Sequence, residues 1–239
     1  MSSVIQADFD RIALASPEGE LHNEHYHNFL LKHLPAHCDR ILEIGCGRGA
    51  FARLLSTRAN HVLAIDFSPE MIRLAREKSG QLGMPKGQEA GLPPRSFSNI
   101  NFQVADILEY NLHAEHFDCI ASIATLHHLP LREVLMKMKA ALKPDGILLL
   151  LDLFEPRGAT DFLLNFLAVP ASKALRVIHH QRLRPSRPAR AAWKAHEAHD
   201  LYPTMPEVRA LCAEVLPNAR VKKHLLWRYS IVWRKSASS

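Results

Sequence analysis

Three glycines alternate with other residues in the segment Ile-Leu-Glu-Ile-Gly-Cys-Gly-Arg-Gly at residues 41–49. An apolar run leads into them, and Ala-Phe-Ala-Arg-Leu-Leu at 50–55 has the character of a helix. Glycine is needed where the backbone turns sharply or approaches a ligand closely, because a Cβ atom would collide there. The pattern predicts a buried strand, a tight turn and a helix N-terminus. The glycines alone also fit a plain strand-to-helix turn of any α/β protein.

An acid follows the next apolar run, where residues 62–65 lead directly to Asp66. An acid at the end of the second parallel strand lies beside the turn of the first and can bind both hydroxyls of a ribose. The glycine turn and Asp66 together predict a ligand that contains adenosine. Two cofactor classes share this logic, and Gly45-x-Gly47-x-x-Ala50 also satisfies the loose dinucleotide fingerprint.

Further segments favour one of those two classes. Glu43-x-Gly45-x-Gly47-x-Gly49 followed by Asp66 resembles the first two motifs of the class I (Rossmann-like) S-adenosylmethionine (SAM)-dependent methyltransferases, small-molecule type. Segments 101–106, 117–129 and 142–151 then follow in the order of that family's third, fourth and fifth strands. The resemblance implies SAM as the cofactor, S-adenosylhomocysteine as the product, and methyl transfer as the activity.

The same resemblance implies an α/β fold. We expect a doubly wound, mostly parallel seven-stranded sheet with a terminal antiparallel strand, an N-terminal helix and a helical insert before the last strands. Alternation of large apolar residues with Arg and Ser over 225–234 independently predicts a final strand, paired with 219–224 as a hairpin. We expect one domain with four parts: an N-terminal helical cap (1–37), a SAM-binding core (38–154), a helical and basic insert forming a substrate lid (155–202), and a last helix with the C-terminal hairpin (203–239).

Local signals predict individual helices and loops. Residues 21–34 have helical spacing of apolar side chains. Ser68 can cap a helix whose first turn holds Pro69, and Thr204 with Glu207 has the spacing of a capping box. Residues 80–99 are rich in helix breakers and predict a long surface loop.

Carried over residue by residue, the resemblance implies a set of cofactor contacts. The backbone of the glycine turn would face the adenosine and methionine portions, Asp66 would bind the ribose, and Asp106 would accept from the adenine amine. The full expected set is Glu43, Gly45, Cys46, Gly47, Asp66, Phe67, Met71, Asp106, Ile107, Ser122 and Ile123.

Two adjacent histidines, His127 and His128, follow the fourth strand at a place where a general base could stand. Neutral imidazole suits the deprotonation of an alcohol, phenol or ammonium group near physiological pH. A structural role for this pair is the alternative. Enzymes that methylate exocyclic base nitrogens often carry an Asn/Asp-Pro-Pro-aromatic motif here, which this chain lacks. Candidate substrate contacts are Tyr26, His22, His27, His196, His199 and Tyr202.

Composition narrows the class of protein. The chain has 239 residues, 47% hydrophobic and 23% charged, without an apolar run long enough to cross a bilayer. Its four cysteines are scattered, which argues against a disulfide framework and a zinc site and fits a reducing cytoplasm. The spacing His-Glu-x-His-Asp at 196–200 does not match a strong zinc signature, so no metal is expected. We expect a cytoplasmic protein.

The formal net charge of +6 is concentrated between Lys173 and Lys194, where seven bases occur without an acid. A solvated surface loop explains this stretch, and RNA, an anionic lipid surface or an acidic substrate would explain it too. The leading hypothesis is methyl transfer to an oxygen, nitrogen or carbon nucleophile of a small or medium-sized molecule. The alternatives are an RNA methyltransferase that uses residues 173–194, a non-catalytic SAM-binding partner protein and, last, a nicotinamide-dependent dehydrogenase.

Overall fold

The computed structural model describes residues 2–15, 24–81, 97–157, 187–197 and 202–237. Its strands are β1 (Cys38–Ile44), β2 (Ala59–Asp66), β3 (Ile100–Val104), β4 (Phe117–Ile123), β5 (Leu142–Leu153), β6 (Arg220–His224) and β7 (Arg228–Arg234). They form one seven-stranded sheet in the order β3-β2-β1-β4-β5-β7-β6. Strand β7 is antiparallel to β5 and β6, and the other pairs are parallel. The expected sheet and its terminal antiparallel strand are confirmed.

Helices cover both faces of this sheet. They are α1 (Ser2–Ala15), α2 (Glu24–Leu31), α3 (Ala50–Leu55), α4 (Pro69–Lys78), α5 (Leu131–Ala141), α6 (Arg187–Glu197) and α7 (Met205–Val215). Side chains of α2, α3 and α4 share one buried apolar cluster with the sheet, and those of α5 and α7 share another. The chain is therefore doubly wound, as expected. In the part of the chain that the structure describes, no helix combines the length and apolar character needed to span a membrane.

The predicted helix boundaries differ from the observed ones at the N-terminal end. Helix α2 ends at Leu31, because the N–H groups of His33 and Leu34 bond to carbonyls three residues back and Pro35 follows. Helix α1 was not predicted, and it provides much of the N-terminal cover. The two capping predictions are confirmed: Ser68 accepts the N–H of Met71 at 3.1 Å, and α7 begins with the expected capping box.

Several sequence predictions concern residues that the structure describes only in part. Of the predicted loop 80–99, residues 82–96 lie outside the described ranges, and of the predicted insert 155–202, residues 158–186 and 198–201 do. The division of the chain into four parts stays a prediction.

The turn between β6 and β7 holds two bulky residues in the left-handed region. The φ angles of Leu226 and Trp227 are 58° and 57°. Each carbonyl of this pair accepts a hydrogen bond: the Arg228 guanidinium donates to Leu226 O at 2.7 Å, and the Phe154 N–H donates to Trp227 O at 3.0 Å. A left-handed residue with a Cβ costs about 1–2 kcal/mol, so these bonds hold a strained turn at the carboxyl edge of β5.

We expect Leu226→Asn to raise the free energy of unfolding by about 1 kcal/mol, because asparagine tolerates the left-handed region better than leucine. Urea denaturation at constant pH measures the change. Leu225→Asn is the matched control, since Leu225 is 50% exposed and has no positive φ. A Leu226→Asn variant that is no more stable than the wild type would contradict the assignment of strain to this turn.

Candidate functional site

The glycine turn after β1 is left-handed at each of its glycines, with φ of 70°, 51° and 71° at Gly45, Gly47 and Gly49. A Cβ atom on Gly45 would lie 2.0 Å from Thr125 Oγ1, and one on Gly49 would lie 2.7 Å from the Phe102 ring. A Cβ on Gly47 would meet nothing within 4 Å. Two of the glycines are thus required by packing inside the protein, whereas the third faces open space.

Asp66 ties this turn to the end of β2. Its carboxylate accepts the N–H of Gly47 at 2.7 Å on Oδ2 and the N–H of Ser68 at 2.9 Å on Oδ1. Burial raises the pKa of Asp66 above its ordinary value, and these two N–H donors oppose that rise. Because each carboxylate oxygen can accept more than one hydrogen bond, Asp66 keeps acceptor capacity for a ligand above the turn.

Glu43 lies underneath the turn, 2% exposed. The N–H of Ala52, in the first turn of α3, donates to its carboxylate. The other oxygen, Oε2, is fully buried and has no hydrogen-bond partner among the described residues. Burial, and then the negative charge of Asp66, raise the pKa of Glu43 well above its ordinary value. The site therefore holds a buried carboxyl group with one oxygen, Oε2, that lacks a hydrogen-bond donor among the described residues.

Glu43 is expected to make the protein less stable as pH rises above the ordinary carboxyl value of 4.5. Its raised pKa means that the folded state binds more protons than the unfolded state in this range, so stability is present at low pH and lost as pH increases. The glutamine side chain does not ionise in this pH range. Glu43→Gln should therefore lose less stability than the wild type between about pH 5 and about pH 8, measured by denaturant unfolding. Equal losses in the two proteins would contradict the raised pKa.

Helix α1 covers the carboxyl ends of β1 and β2. The amide of Gln6 donates to Phe67 O at 3.0 Å, and Asp10 accepts from the Ser68 hydroxyl. The Arg48 guanidinium, inside the glycine turn, donates to a backbone carbonyl of α1 at 3.4 Å. The cap predicted for residues 1–37 thus contacts the turn through a helix that precedes the predicted one.

The remaining predicted cofactor residues lie in the glycine turn, after β2 and β3, in α4 and at the end of β4. Asp106 Oδ1 accepts the N–H of Leu108 at 2.9 Å, and the Ser122 hydroxyl donates to Ile44 O at 2.8 Å. Cys46, Met71 and Ile107 are buried, and Phe67 and Ile123 are partly buried. Direct contact of these residues with a cofactor stays a prediction.

A compact polar group stands at the carboxyl ends of β4 and β5. His127 Nδ1 lies 2.6 Å from Asp152 Oδ1, and the His127 N–H donates to Asp152 Oδ2 at 3.0 Å. The His127 ring centroid is 3.8 Å from that of His128 and 5.1 Å from that of Tyr202. Phe9 of α1 contacts His128 at 5.5 Å between ring centroids. Since β4 pairs with both β1 and β5, this group and the glycine turn share one sheet edge.

The predicted substrate contacts are distributed over several places. Tyr202 joins the His127 group, whereas the Tyr26 hydroxyl donates to Leu225 O at 2.8 Å. His27 is buried and packs against Phe51 at 4.9 Å, between α2 and α3. His22, His199 and the side chain of His196 lie outside the described residues. No group of His, Cys, Asp or Glu that could hold a metal ion occurs within the described ranges.

Three residues at this edge of the sheet were not among those predicted from the sequence. Asp152 ends the apolar run of β5 as Asp66 ends that of β2, so the same signal was available for it. Thr125 packs over Gly45, and Asp10 contacts Ser68, but both contacts depend on the tertiary structure. No local pattern in the sequence would have indicated them.

Comparisons with known proteins agree with this geometry. Residues 42–150 match a family model described as a methyltransferase domain. The ubiquinone biosynthesis O-methyltransferase of Xylella fastidiosa is 31% identical over 123 residues, which are 50% of this chain and 44% of that protein. The chain therefore spans less than half the length of that relative. An uncharacterized methyltransferase of Mycobacterium bovis is 26% identical over 217 residues, which are 89% of this chain and 95% of that protein.

A solved structure extends the likeness of the fold to nearly the whole chain. A chain from the complex of the Haloferax volcanii Trm112 methyltransferase activator with a methyltransferase has a TM-score of 0.61 at 15% identity. The match covers 95% of this chain and 97% of the other. The ordered motifs, the seven-stranded sheet and the family model agree that residues 42–150 form a methyltransferase domain with the Rossmann-like fold of the class I SAM-dependent enzymes.

Proposed function

We propose that this chain binds SAM at the glycine turn and transfers a methyl group to a small or medium-sized molecule held at the carboxyl ends of β4 and β5. One observation carries the proposal: the glycine turn, Asp66 and the His127 group lie along one sheet edge, with α1 contacting both the turn and His128. Ligands of open α/β sheets bind at the carboxyl ends of the strands, where the strand order reverses.

The residues present fit an adenosine cofactor that carries an ammonium group. Gly47 faces open space, so a ligand can approach its backbone closely. The buried Oε2 of Glu43 lacks a donor, and an ammonium group would supply one together with an opposite charge. Asp66 lies beside the turn in the position from which a carboxylate binds ribose hydroxyls. Asp106 and Ile107 would border the adenine.

Bound SAM supplies a methyl group that is already activated by a sulfonium centre, so the protein's main task is alignment of the acceptor. The described residues fit that task. His127 and Asp152 are almost completely buried, with 5% and 1% of their side chains exposed, and Tyr202 packs against them. Side chains held in this way can orient a substrate and exclude water from the acceptor atom.

The name of the Xylella relative, which is an O-methyltransferase, bears on the identity of the acceptor atom. That name favours an oxygen nucleophile among the three considered. The basic residues of α6 support the RNA alternative, because Arg187, Arg190 and Lys194 are exposed at spacings compatible with one helix face.

Transfer of labelled methyl from SAM tests the proposal with three acceptors in parallel: 3,4-dihydroxybenzoate, a mixture of primary amines, and total tRNA. We expect label in the catechol or the amines and none in the RNA. Label in tRNA alone, with a steep loss as salt increases, would replace the proposal with the RNA alternative. Binding of S-adenosylhomocysteine without transfer to any acceptor would favour the non-catalytic partner.

A further inference from the structure

We propose that Asp152 is a positioning residue that fixes His127 with its lone pair on Nε2, which makes His127 the proton acceptor for a substrate hydroxyl or ammonium group. The inference rests on the proposed function and narrows it to acceptors that lose a proton. It assigns separate roles to two residues: His127 would touch the acceptor, and Asp152 would act through His127.

The hydrogen bonds of Asp152 determine the tautomer. Asp152 Oδ1 lies 2.6 Å from His127 Nδ1 and also accepts the N–H of Leu153 at 2.8 Å. Oδ2 accepts the backbone N–H of His127 at 3.0 Å. An ionised carboxylate only accepts, so Nδ1 must carry the hydrogen, and in the neutral ring the lone pair is then on Nε2.

Packing fixes the orientation of the ring. His127 contacts the rings of His128 and Tyr202, and its side chain is 5% exposed. Since Asp152 also bonds to the His127 backbone, the ring and the main chain of the β4 exit are anchored to the same carboxylate. A base held in one rotamer and one tautomer loses little freedom when an acceptor binds.

Asp152 also interacts with groups on β7. Burial lowers the pKa of Arg228, at the start of β7, and the attraction of Tyr26 and then of Asp152 opposes that lowering. On the other side, burial and then Asp152 raise the pKa of the Tyr229 hydroxyl, which therefore stays neutral. His127 thus contacts Asp152, His128 and Tyr202, and Asp152 interacts with Arg228 and Tyr229.

The proton and electrons balance in the resulting step. The O–H or N–H bond of the acceptor breaks, and its proton goes to His127 Nε2. The freed electron pair forms the new bond to the methyl carbon, while the bond from that carbon to sulfur breaks and sulfur keeps its electrons. The imidazolium that results lies against the Asp152 carboxylate, which stabilises it.

Nitrogen NMR of the full chain labelled with ¹⁵N-histidine tests the tautomer without a substrate. At about pH 8.5, where ordinary imidazoles are neutral, we expect His127 to show a protonated Nδ1 and a bare Nε2. The signal is assigned by its loss in His127→Gln. In Asp152→Asn, a substantial Nε2–H population should appear. His128→Gln is the matched control and should leave the His127 tautomer unchanged.

Activity provides the second readout, with 3,4-dihydroxybenzoate or whichever amine accepts label as the probe. We expect His127→Gln to lower kcat by about 100-fold or more, and Asp152→Asn by about 10-fold or more, with KM within a few-fold of the wild type. S-adenosylhomocysteine affinity should stay within about two-fold, because neither residue holds the cofactor.

An Nε2–H tautomer in the wild type, or an unchanged tautomer in Asp152→Asn, would overturn the inference. So would full kcat in His127→Gln. If Asp152→Asn does not fold, the tautomer of His127 in the wild type and the kcat of His127→Gln still test the inference. Failure of S-adenosylhomocysteine to bind the wild type contradicts the proposed function instead, so the two failures are distinguishable.

Discussion

Asp66→Ala is expected to lower the affinity for S-adenosylhomocysteine by about 100-fold or more. Hydrogen bonds to a charged group contribute about 1.5–3 kcal/mol each, and about 1.4 kcal/mol corresponds to a tenfold change in affinity. The variant also removes the acceptor that holds the Gly47 N–H at 2.7 Å, so the turn itself loosens. Isothermal titration calorimetry of the two proteins measures the change directly.

Asp39→Ala is the matched control for that loss. Asp39 lies near the start of β1, at the opposite end of the strand from the glycine turn, and its removal changes the net charge equally. We expect its affinity for S-adenosylhomocysteine to equal that of the wild type. Asp66→Ala binding as tightly as Asp39→Ala would show that the carboxylate does not contact the ligand.

Gly47→Ala should reduce binding of S-adenosylhomocysteine by about 100-fold while costing only about 1–2 kcal/mol of stability. The added methyl group meets no protein atom within 4 Å, so the stability cost comes from the φ of 51°. The binding loss has another cause, because the methyl group would occupy the space that the ligand needs. Calorimetry measures binding and urea unfolding measures stability.

Gly45→Ala provides the contrast within the same turn. Its Cβ would lie 2.0 Å from Thr125 Oγ1, so we expect a loss of stability larger than that of Gly47→Ala. Adding Thr125→Ala should recover part of the stability. If Gly47→Ala were the less stable of the two single variants, or bound S-adenosylhomocysteine normally, the open space over Gly47 would not be the cofactor site.

The core of the fold was predictable because its signals are local. Glycines and acids at strand ends follow directly from the backbone turn and the ligand edge of a parallel sheet, and β7 showed its two-residue period in the sequence. The structure places Gly45 in the turn after β1 and Asp66 at the end of β2, where the sequence predicted them.

Other features were not predictable because they depend on distant contacts. Gln6 and Asp10 of helix α1 contact Phe67 and Ser68, about sixty positions later in the chain. Nothing in the sequence of α1 indicates these contacts. The partnership of His127 with Asp152 requires β4 and β5 to pair so that their ends meet, as Ile123 and Leu151 do. The histidine pair and Asp152 each had a signal in the sequence, but the contact between His127 and Asp152 did not.

Parallel calorimetric titrations of the wild-type protein with S-adenosylhomocysteine and with NAD test the central claim most directly. Both ligands contain an adenosine whose ribose an acid at the end of the second strand can bind, so the comparison isolates the rest of the site. We predict saturable one-to-one binding of S-adenosylhomocysteine and no saturable heat with NAD. Binding of NAD without binding of S-adenosylhomocysteine would contradict the account.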